Sequence, residues 1–314
     1  MRLFLLASLP VALALAIWWS LSPRALDRAT LAAHYEPPLP RPAHPMQVYH
    51  LGHSLVGQDM PAMLAQLMGA GYGYALQLGW GASLDQHWRG EVPGFESEND
   101  TQAHRPAHEA VASGLYDAVV LTEMVELRDA IRYHDSPRAL ADWAQLARAA
   151  RPDVRLYLYE TWHGLDDPAG WEARIARDLP DLWEGEVLAG AKARPGVGTI
   201  HVIPAGQAMA AVVRAMEAGQ VPGLDRREML FRKNPDGTQD VIHLSDLGAY
   251  VVALTHFAVL AGETPVGLPH ALRRANGSLA EAPSAEAAAV LQQVVWQVVT
   301  GYAATGVAAS DVSE

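Results

Sequence analysis

A serine, a histidine and an aspartate in this sequence have the types and spacing of a nucleophile with its base. Ser54 lies in the stretch GHSL, directly after an apolar run that predicts a strand. Serine is a weak nucleophile unless a neighbouring base takes its proton. Asp240 precedes His243 by three positions in the stretch DVIH, so its carboxylate can hold the imidazole tautomer and stabilise the imidazolium. These residues predict a serine nucleophile with a histidine base.

Both motifs also have a simpler structural interpretation. Ser54 could cap a helix, but the next helix is predicted to begin near Pro61, which is too far downstream for a cap. A single Asp-x-x-His could mark a helix start beside a packed histidine. The order of the motifs, GHSL early and DVIH late, favours the catalytic interpretation.

The elements that must position these residues alternate between strands and helices. Short apolar runs predict strands over residues 46–51, 75–78, 118–121, 154–159 and 199–203. Helical spacing of apolar residues predicts helices over residues 61–71, 107–113, 137–148, 169–189, 207–218, 244–261 and 282–303. This alternation predicts a parallel sheet with helices on both faces. Active sites of open parallel sheets lie outside the carboxyl ends of the strands, where Ser54 falls.

The order of three short motifs resembles the SGNH/GDSL hydrolase superfamily. These are GHSL at 52–55, GASL at 81–84 and DVIH at 240–243, and the resemblance spans residues 46 to about 261. It implies a three-layer flavodoxin-like α/β fold with about five parallel strands, and the hydrolysis or transfer of acyl groups. It also implies that Ser54 is the nucleophile, His243 the general base and Asp240 its orienting carboxylate.

The resemblance further implies an oxyanion hole. The N–H groups of Ser54 and Gly81 would donate to it, with Gly79 as the fallback, because a glycine lets an oxyanion approach closely. The superfamily usually has a donating asparagine after the third strand, where this sequence has Glu123. An ionised glutamate cannot donate a hydrogen bond, so Glu123 would serve only if burial kept it protonated. The Thr122 hydroxyl, or the two backbone N–H groups alone, are the alternatives.

Aromatic and polar residues near the motifs predict a substrate pocket. Its candidate residues are His53, Trp80, Trp162 and His163. His87 and Trp88 also lie close to the second motif. Aromatic rings have flat apolar faces on which sugar rings can stack, so a small acyl ester of a carbohydrate, such as an acetyl ester, is the expected substrate. Ordinary packing is the alternative for these rings.

Composition excludes several other classes of function. The chain has 314 residues and a formal net charge of −12, which argues against the basic face that nucleic-acid binding requires. It has no cysteine, which excludes disulfides, thiolate metal sites and a cysteine nucleophile. His104 and His108 are four residues apart but span a predicted loop, so we expect no metal and no other cofactor.

The beginning of the sequence predicts export. Arg2 precedes an uncharged apolar run over residues 3–19, which is typical of a secretory signal or a single membrane anchor. We therefore expect a signal peptide or anchor over residues 1–26, a Pro-rich linker over residues 27–45 and a catalytic domain over residues 46–314. The expected location is periplasmic or extracellular, with possible anchoring to the membrane through residues 3–19. The oligomeric state is left open.

Three alternative functions use the same residues differently. An acyltransferase would share the first half-reaction and pass the acyl group to a glycan hydroxyl. A non-catalytic glycan-binding or envelope module on the same scaffold would explain Glu123 at a donor position. A metal-dependent phosphoesterase would lose its activity on chelation.

Overall fold

Five parallel strands form a central sheet in the computed structural model, which describes residues 27–35, 38–43 and 45–308. The strands are β1 (Gln47–His53), β2 (Gly73–Gly79), β3 (Ala118–Leu121), β4 (Arg155–Glu160) and β5 (Ile200–Pro204). Their order, β2-β1-β3-β4-β5, is the flavodoxin-like order of doubly wound α/β folds. The predicted three-layer fold with a five-stranded parallel sheet is confirmed.

Helices connect the strands and cover both faces of the sheet. They are α1 (Arg28–Ala33), α2 (Asp59–Met68), α3 (Leu84–Arg89), α4 (Phe95–Glu98), α5 (Ala107–Ala112), α6 (Leu127–His134), α7 (Ser136–Ala150), α8 (Trp171–Asp178), α9 (Ala189–Lys192), α10 (Ala205–Glu217), α11 (Asp246–Ala261) and α12 (Ala285–Thr300). A π-helix over Leu179–Leu188 joins α8 to α9, and short 3₁₀ turns occupy Arg227–Leu230 and Ala303–Thr305. The sequence pattern did not predict α3, α4 and α6, which are all shorter than three turns.

Two hydrophobic cores lie on opposite faces of the sheet because side chains alternate along each strand. On β1, Val48 packs into the core that includes α2, α10, α11 and α12. Tyr49 and Leu51 point the other way, into the core that includes α5, α6 and α7. All residues of β3 are buried, which explains its unbroken apolar run.

A β-hairpin near the carboxyl edge of the sheet carries the late DVIH motif. Its strands are β6 (Phe231–Lys233) and β7 (Gln239–Leu244), which pair antiparallel. The N–H of Asn234 donates to the Thr238 carbonyl at 2.8 Å in the turn between them. His243 therefore lies on a strand that directly precedes α11.

The predicted linker is wrong over part of its length, because residues 27–35 pack against the domain. The Asp27 carboxylate accepts hydrogen bonds from the N–H groups of Ala29 and Thr30, which caps α1. Leu31 and Tyr35 are buried, and the Tyr35 hydroxyl donates to the Ile200 carbonyl at 3.0 Å. The predicted signal or anchor over residues 1–26 lies outside the described residues. Among the residues that are described, no helix has the length and apolar character to cross a membrane.

Candidate active site

The structure brings Ser54, His243 and Asp240 together at the carboxyl edge of the sheet. Ser54 is the first residue after β1, and the other two side chains lie on β7. The His243 Nε2 atom is 3.1 Å from the Ser54 Oγ atom. The His243 Nδ1 atom is 2.9 Å from one oxygen of the Asp240 carboxylate and 3.2 Å from the other. A hydrogen-bonded chain thus runs from hydroxyl to imidazole to carboxylate, which is the geometry a serine nucleophile requires.

Hydrogen bonds keep the Asp240 carboxylate ionised beside the imidazole. Burial works against ionisation, but the N–H groups of His243 and Ile242, each 2.9 Å away, and the His243 ring lower the pKa of Asp240 well below its usual range. The guanidinium of Arg232 also donates to this carboxylate at 3.1 Å. A fixed negative charge at Nδ1 favours the tautomer that leaves Nε2 free to accept the serine proton.

A tight turn after β1 holds Ser54 at the sheet edge. The N–H of Val56 donates to the His53 carbonyl at 2.9 Å, and the Tyr159 hydroxyl at the end of β4 donates to the Leu55 carbonyl at 3.0 Å. The next helix, α2, begins at Asp59 with Gln58 as its N-cap residue. Ser54 therefore does not cap this helix.

Two buried neutral histidines brace the end of β1. His53 donates from Nε2 to the Glu123 carbonyl at 2.8 Å, and its Nδ1 accepts from the Leu55 N–H at 3.4 Å. His87 accepts from the Gln77 amide and donates from Nε2 to the Gly52 carbonyl at 2.8 Å. Burial lowers the pKa of each imidazole to about 4, so both rings are neutral at pH 7. His53 borders the cleft, and both nitrogens of its ring make contacts within the protein, so contact between His53 and substrate stays a prediction.

The loop after β4 supports the strand that carries His243. The Trp162 indole N–H donates to the Ile242 carbonyl at 2.9 Å, and the Leu165 N–H donates to the Val241 carbonyl at 2.8 Å. Trp162 is buried and does not border the cleft, so its predicted role as a pocket wall is wrong.

His163 lies deeper in the same loop and is also absent from the cleft lining. Its Nε2 atom is 3.0 Å from the buried Asp178 carboxylate, which pairs with Arg174 as well. The prediction that His163 borders the substrate pocket is therefore wrong. The strand pattern placed both Trp162 and His163 at the correct edge but could not show which way the loop turns.

Ser54 and His243 open into a cleft of about 670 Å³. Its walls include Val56, Gln58, Trp80, Gly81, Val125 and Arg232. Ser54 and Gly81 both line the cleft, and the N–H of neither donates to another of the described residues. Both N–H groups are therefore available to a bound oxyanion.

The loop after β2 gives Gly81 an open and unusual backbone position. Its φ is +54°, in the left-handed region that favours glycine, and a Cβ atom there would meet nothing within 4 Å. The N–H of the preceding Trp80 donates to the Pro93 carbonyl at 2.8 Å, which fixes the loop. Ser83 then caps α3 together with Gln86. Gly79, the fallback donor, is the last residue of β2 and does not line the cleft.

Glu123 is fully buried and does not border the cleft. One carboxylate oxygen accepts from the N–H groups of Leu84 at 3.2 Å and Met124 at 2.8 Å. The other accepts from the Ser136 hydroxyl at 2.6 Å. Burial raises the pKa of Glu123 to about 7, although these bonds favour its ionised form. The predicted oxyanion role of Glu123 is wrong, because its carboxylate ties the start of α3 to the end of β3.

The Thr122 hydroxyl is not available as a replacement donor either. It is buried and donates to the Tyr159 carbonyl at 2.7 Å. Of the alternatives that the sequence left open, the two backbone N–H groups of Ser54 and Gly81 agree with the geometry of the cleft.

Trp80 is a large aromatic side chain held open at the cleft, with 60% of its surface exposed. Its indole N–H donates to the Glu98 carboxylate at 2.8 Å. A Cβ atom on Gly94 would overlap the indole ring, so this glycine lets the backbone lie directly against the ring. Trp80 thus agrees with its predicted place in the pocket.

Trp88 and the histidines at 104 and 108 belong to the packing beside α5. The ring of Trp88 packs against His108 and Trp143, with centroids 4.7 and 4.9 Å away. His104 packs against the ring of Phe95 instead. Across residues 27–35, 38–43 and 45–308, no group of three or more His, Asp or Glu side chains is arranged to hold a metal ion.

Two residues of the site were not singled out from the sequence. Tyr159 supports the turn that carries Ser54, and Arg232 contacts Asp240 and lines the cleft. Tyr159 lies at the end of a predicted strand, which is a signal that it is close to the site edge. Arg232 lies on a strand of three residues, for which the sequence pattern contains no signal.

No protein-family model and no curated protein matches the chain. Three solved structures are similar to it. A DUF4886 family protein from Bacteroides uniformis is 18% identical, with 82% of this chain and 95% of that chain covered and a TM-score of 0.49. A candidate SGNH hydrolase from Slackia heliotrinireducens is 21% identical, with coverages of 68% and 97% and a TM-score of 0.39. A candidate GDSL-like lipase from Parabacteroides merdae is 11% identical, with coverages of 68% and 95% and a TM-score of 0.39.

Two of these proteins have names from the superfamily that the sequence motifs resemble. The likeness to all three is distant and assigns no activity to this chain.

Proposed function

We propose that this protein is an exported serine esterase that removes a small acyl group, such as acetyl, from a carbohydrate. The observation that carries the proposal is the hydrogen-bonded chain from Ser54 through His243 to Asp240, which opens into the cleft. The support for export is the apolar run over residues 3–19.

The reaction begins when His243 Nε2 takes the Ser54 proton and Oγ attacks the ester carbonyl carbon. The carbonyl oxygen becomes an oxyanion that accepts from the N–H groups of Ser54 and Gly81. His243 then gives the proton to the alcohol oxygen as the ester C–O bond breaks, which leaves an acyl group on Ser54. Asp240 stabilises the imidazolium during both proton transfers.

Water completes the cycle by the same steps in reverse order. His243 removes a proton from the water, whose oxygen attacks the acyl carbon, and the oxyanion forms again between the two N–H groups. When the intermediate collapses, Ser54 regains its proton from His243 and the carboxylic acid leaves. An acyltransferase would differ in this half-reaction, with a glycan hydroxyl in place of water.

Trp80 supports a carbohydrate as the alcohol part of the substrate. The exposed indole borders the cleft and offers a flat apolar face on which a sugar ring can stack. The ring is fixed by Glu98 and backed by Gly94, so it needs no reordering before a sugar ring stacks on it.

The proposal is tested by measuring acetate release from acetylated oligosaccharides and from phenyl acetate. Ser54→Ala should reduce both rates by at least about a thousandfold, because the nucleophile is lost. Ser113→Ala, an exposed serine after α5, is the matched control and should keep the full rate. Hydrolysis that survives in Ser54→Ala, or the absence of hydrolysis by the unaltered protein, would contradict the proposal. Acetate appearing on a second glycan would show the acyltransferase instead.

Trp80→Ala tests the carbohydrate part separately. It should lower kcat/KM for the acetylated oligosaccharide about 3- to 10-fold and leave phenyl acetate unchanged, because stacking contributes about 0.5–1.5 kcal/mol. Tyr133→Ala, which removes an equally exposed ring on α6 away from the cleft, is the control. Equal losses on both substrates would show that Trp80 shapes the cleft without recognising a sugar.

A further inference from the structure

A second compartment of about 690 Å³ adjoins the cleft on the side of His243. Leu244, Ser245 and Asp246, the three residues that follow His243, line both the cleft and this compartment. Trp80 and Gly81 line the cleft but do not line the second compartment. The two spaces therefore meet at the residues that follow His243, and the oxyanion donors Ser54 and Gly81 do not line the second compartment.

One wall of the second compartment is a loop over residues 274–283 that is fixed to the cleft itself. The Arg274 guanidinium pairs with the Asp246 carboxylate at 2.8 Å, and the N–H of Glu281 donates to the same carboxylate at 2.7 Å. The N–H of Ala275 donates to the Asp59 carboxylate at 2.9 Å. Asp59 and Asp246 line both the cleft and the second compartment, so these two carboxylates connect the loop to the cleft.

The lining of the second compartment suits a neutral, polyhydroxylated ligand. Cationic Arg226 and Lys233 and anionic Glu228 and Glu281 all border it, so neither charge sign dominates. The apolar lining residues are Leu224, Met229, Phe231, Leu244, Leu247, Ala282 and Pro283. A saccharide offers hydroxyls that donate and accept together with apolar ring faces, which matches this mixture.

The reaction also dictates which part of the substrate lies on this side. His243 Nε2 must deliver its proton to the alcohol oxygen, so that oxygen lies within hydrogen-bond distance of the imidazole. The alcohol part then extends past His243, towards Leu244 and Ser245. The oxyanion is held at Ser54 and Gly81, neither of which lines the second compartment.

We propose that the second compartment binds saccharide units next to the acylated unit, so that the substrate is an O-acylated oligosaccharide. This inference rests on the proposed esterase function and names the substrate class for the same site. The acylated unit sits at Ser54, one neighbouring part of the glycan meets Trp80, and the part beyond His243 fills the second compartment.

The test uses Ala282→Trp, which fills the second compartment from an exposed position outside the cleft lining. The matched control is Ala218→Trp, which adds the same ring at the end of α10 in a separate surface depression. Substrates are acetylated xylohexaose, cellohexaose and chitohexaose, each compared with its acetylated monosaccharide. The unaltered protein should prefer a hexasaccharide by at least about tenfold in kcat/KM, since several saccharide hydrogen bonds are gained.

Ala282→Trp should abolish most of that preference and leave the monosaccharide rate unchanged, whereas Ala218→Trp should change neither. Calorimetric binding of the unacetylated hexasaccharides should weaken at least about tenfold in Ala282→Trp alone. Equal binding and equal preference in all three proteins would overturn the inference, even if esters are hydrolysed. Hexasaccharide binding that is sensitive to Ala282→Trp, without any hydrolysis, would support the subsite and overturn the esterase function.

Discussion

Replacing Glu123 by glutamine tests the structural role that its contacts indicate. The glutamine amide is nearly the same shape as the carboxylate, and its oxygen can still accept from the N–H groups of Leu84 and Met124. The amide NH₂ group then faces the Ser136 hydroxyl, which can rotate to accept instead of donate. The contacts are kept, and what is removed is the group that ionises.

The size of the effect follows from the pKa of Glu123, which burial raises from an ordinary value of 4.5 to about 7. At pH values between 4.5 and about 7, Glu123 holds a proton in the folded protein that it has released in the unfolded chain. The free energy of unfolding therefore falls as pH rises through this window. The loss reaches about 3 kcal/mol above pH 7, because one pKa unit corresponds to about 1.36 kcal/mol. Below pH 4.5 both states are protonated and the contribution is fully present.

Urea unfolding of both proteins at pH 4.5 and pH 8.5 measures this difference. The free energy of unfolding of Glu123→Gln, measured relative to that of the unaltered protein, should rise by about 3 kcal/mol between pH 4.5 and pH 8.5. Glu160, whose pKa burial raises to about 8, is present in both proteins and cancels. Glu109→Gln, on the exposed side of α5, is the control. The same pH dependence in Glu123→Gln and the unaltered protein would refute the reasoning.

Esterase activity of the same variant separates the two roles that Glu123 could have. If its carboxylate ties α3 to β3, as the contacts indicate, kcat at pH 7 should stay within about threefold. Loss of an oxyanion donor typically costs about a hundred- to thousandfold. A loss of that size in a folded Glu123→Gln protein would restore the role that the sequence suggested.

Asp240→Asn should lower kcat by about 10²- to 10⁴-fold, because an amide can hold the His243 ring in the wrong tautomer, and ester hydrolysis measures this. Arg232→Ala should cost less than about threefold, because the Arg232 side chain is 57% exposed and its ion pair with Asp240 is screened by water. Equal losses of kcat in these two variants would contradict the assignment of Asp240 as the residue that orients His243 and of Arg232 as a minor contact. Tyr159→Phe removes the hydroxyl that donates to the Leu55 carbonyl and should cost about 1 kcal/mol of stability, together with part of kcat. Urea unfolding and hydrolysis rates measure the two effects. An unchanged free energy of unfolding and an unchanged kcat would show that this hydrogen bond contributes to neither.

The fold could be predicted because the spacing of apolar residues along the sequence reflects which faces of the strands and helices are buried. Residues 118–121 read as a buried parallel strand, and that strand is β3 without a shift at either end. The hairpin of β6 and β7 was not predicted, because β6 has three residues and two of them are exposed. A strand that short shows no alternation.

The sequence could predict which residues of the site lie at the carboxyl edge of the sheet, because the ends of the predicted strands determine that placement. Ser54 and Gly81 follow β1 and β2, so they share one edge of the sheet with the loop after β4. Side-chain direction was not predictable. Trp162 turns to support the Ile242 carbonyl, and Glu123 turns to Ser136, thirteen positions later in the chain. Such choices depend on partners that are distant in sequence, which no local pattern contains.

Covalent trapping at Ser54 tests the central claim most directly. A fluorophosphonate probe reacts with a serine that a base has activated, and peptide mass mapping locates the adduct. We predict one adduct, at Ser54, in the unaltered protein and in Ser113→Ala, and none in Ser54→Ala. An adduct that persists in Ser54→Ala, or an unaltered protein that stays unlabelled, would contradict the account.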